Sequence, residues 1–254
     1  MKIGKHEIDI LVQGFPGKAQ YHGGLGWSTV VLIRHGDRIA LIDTGSFGMR
    51  SLLVDRLAKL GVKPAEVTDV LLTHAHHDHC VNWTLFRNAR IVLGAQELES
   101  ALKDPWGETP TPELYVVQLR EWSKLCTARD GEEVFPGITC YLTPGHTHGH
   151  LIFVLHGDEQ DVIFSGDAAK NRAELISREA NMTVDPAASS DSIGLIWQLW
   201  RRRTGTILVP GHDVPMILVD GECRYLGERE AGIVAWFGED LKKTTTFRLT
   251  ADSD

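Results

Sequence analysis

Thr73-His74-Ala75-His76-His77-Asp78-His79 sets three candidate imidazole ligands, His74, His76 and His79, and the carboxylate of Asp78 within six residues. Neutral imidazole and carboxylate are first-choice ligands for zinc and related divalent ions. The apolar run that precedes the cluster, Val67 to Thr73, reads as a buried strand. The cluster therefore occupies the loop beyond a strand's carboxyl end, where open α/β sheets place their chemistry. His74 and His76 share one parity and point together toward one metal, whereas Asp78 and His79 begin the next turn and serve a second.

Upstream, Thr29 to Ile33 and Arg38 to Ile42 flank His35-Gly36-Asp37, which signals a hairpin that leads into Asp43-Thr44-Gly45. From Phe47 to Leu60, Leu52, Leu53, Leu57 and Leu60 recur at helical spacing until Gly61 ends the pattern. Downstream, Ile91 to Leu93 and Gln96 to Leu102 read as a strand and a helix, and Pro105 to Pro112 as a rim or lid loop. Ile138 to Leu142, Leu151 to Leu155 and Val162 to Ser165 are strand-like; Ser190 to Arg203 is helix-like, and Thr206 to Val209 is a strand. Both halves run strands first and helix later, as a duplicated unit would.

Three further ligand types follow apolar runs and a glycine: Pro144-Gly145-His146, Ser165-Gly166-Asp167 and Pro210-Gly211-His212. Glycine lets the backbone turn tightly and approach a site closely. With the cluster they make a set of seven: His74, His76, Asp78, His79, His146, Asp167 and His212.

The order of these motifs, HxHxDH, then Gly-His, Gly-Asp and a final Gly-His, resembles the metallo-β-lactamase superfamily between Asp43 and His212. The resemblance implies an αββα sandwich of two related halves, where periodicity alone indicates only α/β. It also implies that His74, His76 and His146 hold one ion, that Asp78, His79 and His212 hold another, and that Asp167 bridges them. Two divalent ions, zinc first with iron or manganese open, would then hold a hydroxide that attacks a carbonyl, with Asp78 assisting the leaving group. An aspartate at 167 separates the chain from the β-lactamases of this superfamily. The motifs are most similar to those of the quorum-signal lactonases, which implies a lactone or ester substrate. Those lactonases carry a tyrosine where this chain has Lys170, a position suited to an oxyanion, a substrate carboxylate or plain solvent. A glyoxalase II-like thioesterase and a mononuclear iron persulfide dioxygenase are the alternatives within the same resemblance.

Other residues carry plainer readings. Asp43 is either a turn residue or a support for the metal shell. His77, His148 and His150 face solvent or back a ligand. Trp197 and Trp200, with Ile193 and Ile196, fit the core face of a helix, and Arg201-Arg202-Arg203 suit its carboxyl end.

At 254 residues the chain reads as one domain, 1–254. Its net charge of -8 disfavours a nucleic-acid partner and leaves a small molecule as the expected one. No apolar run approaches the roughly 20 residues that span a bilayer, and Met1 to Gly14 lacks the pattern of a signal peptide. Four cysteines without CxxC spacing fit a cytoplasmic protein. The sequence leaves the oligomeric state open.

Overall fold

Four consecutive apolar residues on each side of a glycine turn, 30–33 and 39–42, build the central hairpin of the first sheet in the computed structural model, which describes residues 1–250. β1 (Lys2–Ile3) and β2 (His6–Val12) precede a small ribbon of β3 (Lys18–Ala19) and β4 (Gly23–Gly24). β5 (Val30–His35) and β6 (Arg38–Ile42) are the expected hairpin, with Gly36 at φ +60° as the first loop residue. Helix α1 (Arg50–Lys59) returns the chain to β7 (Asp69–Leu71), parallel to β6. The short α2 (His77–Cys80) follows, then β8 (Arg90–Gly94), α3 (Ala95–Ala101), α4 (Glu113–Arg120) and β9 (Leu125–Ala128). The seven strands lie in the order β1-β2-β5-β6-β7-β8-β9.

The second sheet repeats the plan. β10 (Glu133–Phe135), β11 (Ile138–Leu142), β12 (Leu151–Leu155) and β13 (Val162–Gly166) pair antiparallel in succession. Helices α5 (Arg172–Ser177) and α6 (Pro186–Arg202) then cross to β14 (Ile207–Pro210), parallel to β13. β15 (Met216–Val219) and β16 (Glu222–Tyr225) complete this second set of seven strands. A separate ribbon, β17 (Gly232–Ala235) and β18 (Thr245–Arg248), follows.

Side-chain alternation assembles the layers. Val31 and Ile33 of β5 face Phe153 and Leu155 of β12 across the space between the sheets. Val30 and Leu32 point the other way, onto Leu53 and Leu57 of α1. Ile152 and Val154 likewise meet Ile193, Ile196, Trp197 and Trp200 of α6. The result is the αββα sandwich, with the two sheets between outer helices. The carboxyl ends of β6, β7, β11, β13 and β14 carry Asp43, the histidine cluster, His146, Asp167 and His212 respectively.

Several boundaries differ from the sequence reading. α6 starts four residues before Ser190, because Pro186 occupies the first turn and the Asp185 carboxylate accepts from Ala188 N–H. The stretch after Phe47 opens as a 3-10 turn, and of its leucines only Leu53 and Leu57 are fully buried; Leu52 and Leu60 remain 40% and 38% exposed. The single-domain reading ran to Asp254, and residues 251–254 lie outside the described residues. Among those described, no helix is long and apolar enough to cross a membrane, and all four cysteines are unpaired.

Candidate metal centre

The first loop is organised from below by Asp43. This residue sits at φ +56°, and its carboxylate accepts hydrogen bonds from Thr73 N–H (2.8 Å), Thr73 Oγ1 (2.9 Å) and His79 Nδ1 (2.8 Å). The last bond makes Nδ1 the donor and turns His79 Nε2 toward the cavity. Asp43 is thus a support and not merely a turn residue. Asn82 holds the same corner by donating to the carbonyls of Thr44 (2.9 Å) and Ser46 (2.7 Å).

The second half brings its ligand types in by close backbone approach. Gly145 lies at φ +132°, and a Cβ there would sit 2.3 Å from Ser189 Oγ. His146 follows; its Nδ1 donates to the Met182 carbonyl (2.9 Å), which directs Nε2 to within 2.9 Å of His76 Nδ1. A Cβ on Gly211 would lie 2.4 Å from Asp167 Oδ1, so only glycine lets His212 arrive beside that carboxylate. His150 is fully buried and accepts from Asp167 N–H (3.0 Å) through Nε2, whereas His77 and His148 are exposed.

All seven candidate residues meet in one place. Single ligand atoms of His74, His76 and His146 lie within 4.8 Å of one another, as do those of Asp78, His79 and His212. A third group, His74, His79 and Asp167, satisfies the same distance and joins the two. Asp167 spans them: Oδ1 lies 3.2 Å from His79 Nε2 and 3.3 Å from His212 Nε2, while Oδ2 lies 3.3 Å from His146 Nε2.

The donor set fits divalent cations. His74 Nε2 and Asp167 Oδ1 are buried without any hydrogen-bond partner, although a buried polar atom ordinarily has one. Burial pushes the His74 and His146 imidazoles well below their ordinary pKa and His76 down to about 4, so all three present free lone pairs. Burial also opposes charge on Asp167, but His212, His79 and His146 outweigh it and hold the carboxyl well below the usual range. At His79 burial is likewise overcome, here by Asp167, Asp78 and Asp43, which raise its pKa well above the ordinary value. Ionised carboxylates thus draw positive charge into the cavity, a demand that a cation can meet in place of protons.

Beside this centre lies a cleft of about 410 Å³ that exposes His76, Asp78, His146, Asp167 and His212. Lys18, Lys170 and Asn171 line it, with Pro110 of the expected rim loop and Met182. Lys170 reaches this cleft, but its ammonium donates to the Asn181 carbonyl (2.7 Å) and pairs with Glu174 Oε1 (3.0 Å). Asn171 caps α5, accepting from Ala173 and Glu174 N–H. Asp213, not singled out in the sequence, anchors the far side by accepting from Arg172 N–H (3.0 Å) and Tyr225 OH (3.1 Å) and pairing with Arg229.

The family model of the metallo-β-lactamase superfamily matches residues 23–212. The chain belongs to that superfamily. A Xenopus laevis relative, metallo-β-lactamase domain-containing protein 1, is 26% identical over 84% of this chain and 82% of its own length. The Mus musculus protein of the same name is 29% identical over 70% of this chain, and the match spans 61% of that relative. An N-acyl homoserine lactonase of Bacillus thuringiensis is 24% identical over 69% of this chain and 66% of its own. Among solved structures, a putative metallo-β-lactamase from Thermotoga maritima superposes with a TM-score of 0.67 at 26% identity, covering 84% of this chain and 100% of that one. The chain is a metallo-hydrolase of this superfamily, with a His/Asp cluster able to hold metal.

Proposed function

We propose that the protein is a dinuclear metal-dependent hydrolase that cleaves the acyl C–O bond of a lactone or ester. The observation that carries this reading is the placement of Asp167, whose two oxygens face different histidine groups at 3.2–3.3 Å. A carboxylate so placed suits a bridge between two ions. When bound, two divalent ions, zinc in the first instance, supply Lewis acidity and bring the pKa of a water toward neutrality.

The chain's own residues do the rest. His74, His76 and His146 keep neutral rings aimed at one point, and Asp43 and Met182 fix the tautomers of His79 and His146. Asp78, at 21% side-chain exposure the most open of the carboxylates, faces the cleft and can pass a proton to the departing alkoxide. Balance is simple: the oxygen of water bonds to the acyl carbon, the C–O bond breaks, and the water's proton ends on the leaving oxygen. Lys170 and Asn171 line the same cleft, within reach of a carbonyl oxygen or carboxylate of a substrate bound there. The B. thuringiensis relative, named a homoserine lactonase, supports a lactone as the first substrate class to examine.

Metal analysis with a panel of lactones, aryl esters, thioesters and β-lactams tests the reading. Two ions per chain with fastest turnover of a lactone or ester is expected. One tightly held iron with oxygen consumption on a persulfide, or turnover confined to thioesters, would overturn it. Asp167→Ala should leave less than about a tenth of wild-type activity, because even residues that only support ligands cost 10–100-fold.

A further inference from the structure

The sequence singles out seven candidate ligand residues, yet the loops that carry them come from segments far apart in the chain, and something must hold those loops in register. Glu97 does so. It lies in the first turn of α3, is 1% exposed, and among the described residues no cation pairs with it. Its Oε1 accepts from Ala75 N–H (2.8 Å), the amide between His74 and His76. Its Oε2 accepts from Thr147 Oγ1 (2.7 Å) and Gly149 N–H (3.1 Å), on the loop that begins at His146.

The backbone shows that the His146 loop is docked on this helix end. A Cβ on Gly149 would lie 2.0 Å from Glu97 N, and one on Gly94 would lie 2.7 Å from the Gly149 carbonyl. Neither contact is possible with a larger residue, so the helix start and the His146 loop touch backbone to backbone. Burial pushes the Glu97 carboxyl up, while the three donors favour its charged form; with three hydrogen bonds shared between the two loops, this one side chain clamps both to the helix start.

We infer that Glu97 is the positioning residue for one half of the centre: by tying the His74–His76 loop to the His146 loop, it sets the distances among those three imidazoles. It makes no hydrogen bond to Asp78, His79 or His212; Asp43 holds His79 instead, and His212 N–H donates to the Lys170 carbonyl (2.8 Å). The inference rests on the dinuclear reading above and adds an asymmetry to it: loss of Glu97 weakens one metal position and spares the other.

Zinc titration of chelator-stripped full-length protein against a competing chromophoric chelator reads both affinities separately. Circular dichroism on each variant reports folding. In Glu97→Gln the amide still accepts from Ala75 N–H but turns a donor on Gly149 N–H. One zinc should then bind about 10–100-fold more weakly while the other is unchanged. Thr147→Val removes a single donor and should give a smaller loss at the same position; it decides the matter if the Gln variant does not fold. Turnover of the best substrate should fall in kcat with KM kept, since positioning of ligands acts on the chemical step.

Native circular dichroism with both zinc affinities unchanged, or with both weakened equally, overturns the role given to Glu97. A wild-type protein that binds fewer than two zinc ions sinks the dinuclear reading instead, so the two failures are told apart.

Discussion

Asp43 carries an unusual load for one side chain, because a non-glycine residue at φ +56° is kept only where its surroundings compensate. Here the compensation is the set of bonds to Thr73 and His79, which fixes one ligand's tautomer and the start of the loop that carries the others. Asp43→Ala should therefore lower metal affinity about 10–100-fold while the protein stays folded, and chelator competition would detect it. Unchanged affinity would reduce Asp43 to a turn residue. Lys170 poses the opposite question, since two of its three donors are already occupied by Asn181 and Glu174. One N–H remains for the cleft. If that donor supports a developing oxyanion, Lys170→Met should cut kcat by roughly 10²-fold with KM little changed. A KM rise confined to acidic substrates would make it a carboxylate clamp. Unaltered kinetics on both substrate kinds would leave the lysine to its two internal partners.

Among the elements, α6 shows what local sequence can and cannot announce. Ile193, Ile196, Trp197 and Trp200 recur at helical spacing, so the apolar face is readable, and all four are buried against β12, β13 and β14. The start was not read because its signal is polar: Asp185 accepts from Ala188 N–H at 3.0 Å. Asp185→Ala should destabilise the fold by about 1 kcal/mol, a cap-sized loss that urea denaturation can resolve; no change in midpoint would show that packing alone holds the helix end. α4 escaped for a different reason. It buries only Val116 and Leu119 over eight residues and follows a proline-rich loop, so its periodicity is faint. β9 is a half-exposed edge strand and β10 is three residues long, too little for alternation to register. The candidate ligands are legible because four of them crowd into the stretch from His74 to His79 and the other three each follow a glycine after an apolar run. Asn82, Glu97 and Asp213 are not, since their partners are backbone groups and side chains of other segments, and no spacing in the chain encodes such encounters.

At the scale of the molecule, the centre joins the two halves. His74, His76, Asp78 and His79 come from the first sheet's loops, while His146, Asp167 and His212 come from the second's. The unfolded chain cannot hold these groups in one place, so ions that bind them favour the folded state by mass action. At a free zinc concentration 100 times the dissociation constant, one site contributes about 2.7 kcal/mol. For a chain of this size that corresponds to a Tm rise of roughly 5–10 °C over chelator-stripped protein. Zinc should also bring the sheets' melting together, because ligands from both must separate for either to unfold. Asp167→Ala, which keeps the apolar core but removes the carboxylate between the two groups, should melt near the stripped wild type and gain much less from zinc. Scanning calorimetry on both proteins with and without zinc makes the comparison. If the wild type melts at the same temperature in both conditions, the ions are not held between the halves, and the ligand set drawn from the two sheets would have to be abandoned.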